Sequence, residues 1–313
     1  MKAAGILLRT VKGSVSSVGE GRLIRSIRRW LGRSSPPSPA GIGDDCAVLR
    51  PARGRELLTV DAVVRGVHFS DGMRAREVGA KLMKRNLSDI ASMGGDPRAA
   101  VVALALDGRV ALAWLEGFYR GLAAEARRHR VAVVGGDVTR LDGSLVATLA
   151  LTGEAVGRIL TRSGSRPGDW IYVTGSLGRS LPTGHHLHFI PRLAEGRWLA
   201  RRGEVRAMID LSDGLAKDVV SLSPAGAAPA LYSAMLPRRA ASTVREALCD
   251  GEDYELAFTV AARANRAGLE RAWRGAFPRT RLTCVGRFVP AGAVPPGAIS
   301  LGDYRGYEHH RKA

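Results

Sequence analysis

Apolar positions along this chain follow two rhythms, a helical spacing over a few long stretches and short continuous or alternating runs between them. Glu20 to Leu31 reads as a short helix, stopped by Gly32 ahead of the Ser/Pro-rich loop SSPPSPAG. Leu57–Val60, Ala99–Leu106, Val131–Val134 and Leu145–Leu151 read as strands, and Arg76–Met93 and Val110–Arg130 as helices. On the second of these helices Leu115, Phe118 and Leu122 share a face, while Arg127, Arg128 and Arg130 close the last turn, where positive charge suits the helix dipole. The polar, Gly-rich stretch GRILTRSGSRPGD marks a boundary near residues 155–168. Beyond it Trp170–Thr174, Met208–Leu211, Glu255–Val260 and Thr283–Val289 read as strands, with helices after Asp213 and around Asn265–Trp273. Both halves mix helices and strands, so the expectation is an α/β (α+β) chain of two mixed domains, 19–158 and 159–313, behind a flexible arm over 1–18 that shows no period.

Composition narrows the class. A chain of 313 residues that is 45% hydrophobic can bury a core in each of two domains. The formal net charge of +18 would draw in phosphates, but only 6 of the 47 basic residues are Lys, the Arg residues are scattered and aromatics are 5%, so no basic stripe with stacking residues marks a nucleic-acid groove. Cys46, Cys249 and Cys284 are too few and too far apart for a disulfide framework, which points to a reducing, cytoplasmic setting. The apolar stretch Ala3 to Leu8 is too short for a secretory segment or a membrane span, so no membrane partner is expected.

The candidate chemistry lies in aspartates at turn-like positions: Asp44-Asp45 in GIGDD, Asp61, Asp89, Asp137 in VVGGDVTR, and Asp210 and Asp213 in MIDLSDGL. Carboxylates gathered by a fold repel one another and are relieved by shifted pKa values or by bound cations, and hard oxygen ligands favour magnesium over zinc or copper. Walker, dinucleotide-binding and protein-kinase loops are absent, which leaves GIGDD and VVGGDVTR as cradles where glycine lets backbone approach a phosphate. Each feature alone has a plainer explanation: GGD as an ordinary strand end, Arg85 and Asp89 as an i,i+4 surface pair, Ser212 or Asp213 as a helix cap. The His185, His186 and His188 trio, read on a strand or loop, would point its rings to opposite sides, which disfavours a metal site. Cys46 beside two carboxylates has no reason to be nucleophilic.

Taken in order, GEGRLI, GIGDDCAVL, DAVVRGVHF, KLMKRNLSDIASMGGDP, VVGGDVTR, LTRSGSRPGDWIYVTGSLG, AMIDLSDGL, ALCDGEDYELAFTV and DYRGYEHH closely resemble the thiamine-monophosphate kinase family, within the superfamily of aminoimidazole ribonucleotide synthetase and selenophosphate synthetase. The resemblance implies two domains like those of aminoimidazole ribonucleotide synthetase. It also implies a homodimer paired through its N-terminal sheets, and ATP-dependent conversion of thiamine monophosphate to thiamine diphosphate. It implies several magnesium ions at Asp45, Thr59, Asp61, Asp89, Asp137, Asp210 and Asp213, and nucleotide contacts from Gly136, Asp137, Arg162 and Ser212, with Tyr119 as a further one. His68, Glu252 and Tyr307 match acceptor contacts, and no general base or covalent nucleophile is implied. Val60 replaces a hydroxyl residue usual in the family, and GRSLPTGHHLHFIP is shorter than the matching segment, which bears on acceptor specificity. The rivals are a superfamily enzyme acting on another small molecule and a non-catalytic nucleotide- or RNA-binding relative.

Overall fold

The computed structural model describes residues 6–155 and 157–308. Contacts divide the chain into two compact units: the chain up to Leu87 with Asp96–Glu154, and Ser88–Gly95 with the chain from Ala155 onward. Each unit mixes helices with its own sheet.

The first unit is built from α1 (Glu20–Leu31), β1 (Glu56–Val64), α2 (Ala75–Ser92) as far as Leu87, β2 (Gly95–Leu106), α3 (Leu112–Arg128), β3 (Ala132–Arg140) and β4 (Leu145–Ala155), the end of α2 from Ser88 onward belonging to the second unit. Its four strands run in the order β1-β4-β2-β3, with β1 antiparallel to β4 and β2 parallel to β3. Leu145, Ala147, Leu149 and Leu151 of β4 are buried while the residues between them are half-buried, the signature of a sheet covered on one side. On β1, Leu57 and Val63 point inward, whereas Leu58 and Val60 are 75% and 61% exposed. Leu115, Phe118 and Leu122 form the buried stripe of α3. Gly79 of α2 and Gly121 of α3 let these helices touch: a methyl group on either would overlap the carbonyl oxygen of Phe118 or Arg76.

Three expectations need correction here. Of the arm, residues 1–5 lie outside the described residues, but Ile6 is fully buried, Leu7 bridges to Val110, and the Leu8 N–H donates to the Arg109 carbonyl at 2.8 Å. An isolated bridge needs no periodic pattern, which is why the sequence hides it. β1 continues past Val60 to Val64, so Asp61 stands in mid-strand opposite Leu149 rather than at a strand end. The segment Gly135-Gly136-Asp137 is likewise strand, because β2 supplies a parallel partner as far as Arg140, with a register shift at Ala100/Val101. Gly136 is required there, since the Val102 carbonyl occupies the place a Cβ would take.

The second unit contains β5 (Trp170–Thr174), α4 (His185–His188), α5 (Leu193–Ala200), β6 (Val205–Asp210), α6 (Leu215–Asp218), β7 (Ala227–Leu231), α7 (Val244–Cys249), β8 (Leu256–Val260), α8 (Arg266–Ala276) and β9 (Leu282–Pro290). The sheet order is β6-β8-β5-β9-β7, paired antiparallel throughout. Both faces are covered. Ile171, Val173 and Ile209 pack with Leu215, Val219 and Leu248, and from the other face Tyr172, Met208 and Phe258 pack with Leu199, Leu269 and Trp273. Every residue of β8 is therefore buried, and LAFTV reads as an unbroken apolar run. β7 is absent from the sequence expectation because AAPAL lacks β-branched residues and contains Pro229. At the edge of the sheet a missing N–H does little harm. The His185–His188 segment is a helix, not the strand or loop expected, and its rings serve backbone: His185 Nε2 lies 3.0 Å from the Asp253 carbonyl and His186 Nδ1 3.1 Å from that of Ser180.

Candidate nucleotide and acceptor sites

Within the first unit, the GIGDD loop and the GGD segment of β3, far apart in sequence, line one pocket of 680 Å³. That volume suits a cofactor-sized ligand. Gly43, Asp44 and Asp45 form one wall and Gly135, Gly136 and Asp137 another, while Ile24 and Ile27 of α1 and the buried Tyr119 add an apolar side. Asp45 and Asp137 are exposed, whereas Asp44 accepts a hydrogen bond from the Ser38 hydroxyl. Burial pushes the Tyr119 phenol well above its ordinary value, so it stays protonated. The arrangement offers an apolar surface for a ring and, beside it, glycine backbone and two carboxylates for a polyanion carried with a cation.

No group of three or more His, Cys, Asp or Glu is placed to hold a metal ion among the described residues. Magnesium does not need one: it keeps water and takes one or two carboxylates together with substrate phosphates. The donor set around this pocket is carboxylate oxygen with neither His nor amine, and it fits that habit.

Elsewhere in the first unit, Asp61 points to the helix side of the sheet with Thr59, and Arg85 of α2 donates to its Oδ1 at 3.1 Å. Arg85 thus has a partner on β1 that the helix spacing alone could not reveal. His68 Nδ1 accepts the Val64 N–H at 3.1 Å, so the neutral ring carries its proton on Nε2. Its carbonyl receives the ammonium of the fully buried Lys81 at 2.9 Å, an anchor that sequence reasoning missed.

In the second unit four expected residues are tied together at the end of β6. The Glu252 N–H donates to the Ser212 carbonyl at 2.7 Å and the Tyr307 N–H to that of Asp213 at 2.9 Å. Lys217, on the next helical turn, donates to Asp213 Oδ2 at 2.6 Å and to the Tyr307 carbonyl at 2.7 Å. Its spacing of four from Asp213 was the signal available. Asp210 is buried and accepts the Ser88 hydroxyl at 2.8 Å. Glu252 and Tyr254 hold left-handed backbone, φ 64° and 51°, an unfavourable conformation kept where surroundings enforce it. Asp89 is half-buried on α2, its carbonyl accepting the Ser92 hydroxyl. Arg162 is exposed on the loop before β5 and bonds to none of these residues.

Residues 43–159 match the AIR synthase related protein, N-terminal domain. The thiamine-monophosphate kinase of Escherichia coli (strain K12) is 36% identical over 304 residues, covering 86% of this chain and 91% of that protein. The crystal structure of thiamine-monophosphate kinase from Stenotrophomonas maltophilia K279a superposes with a TM-score of 0.72 at 31% identity, over 88% of this chain and 95% of that one. AaThiL complexed with AMPPCP and TMP is similar at 27% identity with a TM-score of 0.68, over 94% and 97% of the two chains.

Proposed function

Because this chain belongs to the thiamine-monophosphate kinase family, we propose that it transfers the γ-phosphoryl group of ATP to thiamine monophosphate, releasing thiamine diphosphate and ADP. The observation that carries this reading is the pocket on which GIGDD and GGD converge with Tyr119. We assign the nucleotide to it, with Gly135 and Gly136 permitting close approach of backbone to phosphate and Ile24 and Ile27 shielding the base from water. Asp45 and Asp137 would hold magnesium, which when bound supplies neutralisation of phosphate charge. Asp61, Asp89, Asp210 and Asp213, with Thr59, are the remaining metal candidates, and Arg162 and Ser212 the remaining nucleotide contacts. His68, Glu252 and Tyr307 are assigned to the acceptor: His68 would donate its Nε2–H to a phosphate oxygen, and Tyr307, 44% exposed, would stack its ring on the acceptor.

No catalytic base enters this scheme. A phosphate monoester has its second pKa near about 6 and is already an anionic nucleophile at neutral pH. The protein's work is to hold two polyanions in line. The bare sheet face of the first unit, with Leu58 and Val60 beside the half-buried Thr148, Ala150 and Thr152, supports a homodimer formed there. Among the described residues no helix is long and apolar enough to cross a membrane. The three free thiols and the ATP requirement support a cytoplasmic setting.

The test is product analysis of purified protein with ATP, magnesium and thiamine monophosphate. Thiamine diphosphate and ADP in equal amounts are expected, and Asp137→Asn should lower turnover by about two orders of magnitude or more with the fold retained. ADP released only with a different acceptor, or none released at all, would overturn the assignment.

A further inference from the structure

Two of the candidate metal carboxylates, Asp61 and Asp213, sit against a basic side chain, and the two pairs differ in exposure. Lys217 and Asp213 are 40% and 31% exposed, four apart on the surface, a geometry that water and salt readily dissolve. Arg85 and Asp61 are 12% and 25% exposed, one on a helix and the other on a strand, so water dissolves this pair less readily. The guanidinium cannot lose its charge at any working pH. It touches Asp61 through one oxygen, Oδ1, which leaves Oδ2 outside that bond.

We propose that Arg85 is a resident counter-cation for Asp61, which holds the affinity of this carboxylate for a free divalent cation low and makes metal loading at Asp61 depend on the nucleotide. This rests on the kinase reading above. The electrostatic logic is direct: a dication approaching Asp61 meets a fixed positive charge within a few ångströms in a partly dry setting, where charges act more strongly than in water. Polyphosphate brings negative charge enough to offset both cations. Metal is then taken up with ATP rather than stored ahead of it. A protein whose surface is crowded with Arg has no need of a permanent metal to receive anions, and Arg85 keeps Asp61 compensated while the site is empty.

Binding of Mn²⁺, as a spectroscopic stand-in for magnesium, to nucleotide-free protein tests the proposal without reference to turnover. Arg85→Met is expected to bind Mn²⁺ at least about tenfold more tightly than wild type, the scale of one unit charge at this range. Arg85→Lys should stay near wild type, and adding Asp61→Asn to Arg85→Met should erase the gain. If the apolar replacement fails to fold, Arg85→Gln removes the charge while keeping a hydrogen-bond donor and serves the same comparison. Unchanged or weaker Mn²⁺ binding in the folded, charge-free variant overturns the proposal, as does a gain that survives loss of Asp61. The product assay on wild type stands apart: if no thiamine diphosphate forms while Arg85→Met still tightens Mn²⁺, the kinase reading has failed and the counter-cation role has not.

Discussion

Asp218 hangs beneath the loop that carries Ser212 and Asp213, its Oδ2 accepting the Asp213 N–H at 3.0 Å. It is buried, and burial pushes its pKa up to about 7, with backbone N–H groups of Asp213 and Ser212 pulling the other way. A raised carboxylate pKa means the native state holds the proton more tightly than the unfolded chain. Stability from this group is therefore greatest near pH 4, falls as pH rises through 7, and levels off above it. The loss is on the order of 4 kcal/mol across the whole range. Asp218→Asn should flatten that part of the profile, so urea unfolding of both proteins at pH 5 and pH 8 is the check; parallel slopes would refute it. At this scale the sequence was most legible where glycine stood within two residues of an acid, as at Asp45 and Asp137, which line one pocket. It was silent on which base answers each acid, because Arg85 and Asp61 are joined only by the packing of a helix on a strand.

The contact of α2 with α3 shows how one small residue sets the spacing of two elements. A methyl group at Gly79 falls on the Phe118 carbonyl, backbone that cannot swing aside. Gly79→Ala should cost about 1 to 3 kcal/mol despite its better helix propensity, with a lower melting temperature in calorimetry and unchanged helical content as the expected result. Helices of this length, and strands such as β5, were read from the chain almost to the residue, since their apolar spacing is fixed by burial on known faces. Strand ends were not. β1 and β3 continue because a neighbour keeps offering hydrogen bonds, and a partner strand leaves no mark in the local pattern of Asp61 or Gly136. β7 needed even more help from its context, being little more than alanine and proline held on an edge by β9.

The two sheets of the molecule differ, one being covered on one face and the other on both. Leu58 and Val60 lie on the bare face, and if two copies meet there, Leu58→Glu with Val60→Glu should turn a dimer into a monomer in sedimentation analysis; a wild-type monomer, or a mutant dimer, would refute the interface. The difference between the sheets was visible in the sequence as alternation in LVATLALTGEA against the solid run LAFTV, whereas the docking of residues 6–18 and the ties of Glu252 and Tyr307 were not, as both are made by backbone bonds between residues far apart in the chain. The bridge from Lys217 to Asp213 and the Tyr307 carbonyl has a practical corollary in a chain so poor in lysine. Lys81 and Lys84 are buried, so among the described residues only Lys12 and Lys217 present an exposed amine. Of these two, Lys12 is a bystander and Lys217 clasps the acceptor loop, so the rate at which an acylating reagent modifies Lys217, read by peptide mapping, becomes a chemical gauge of whether that clasp is shut.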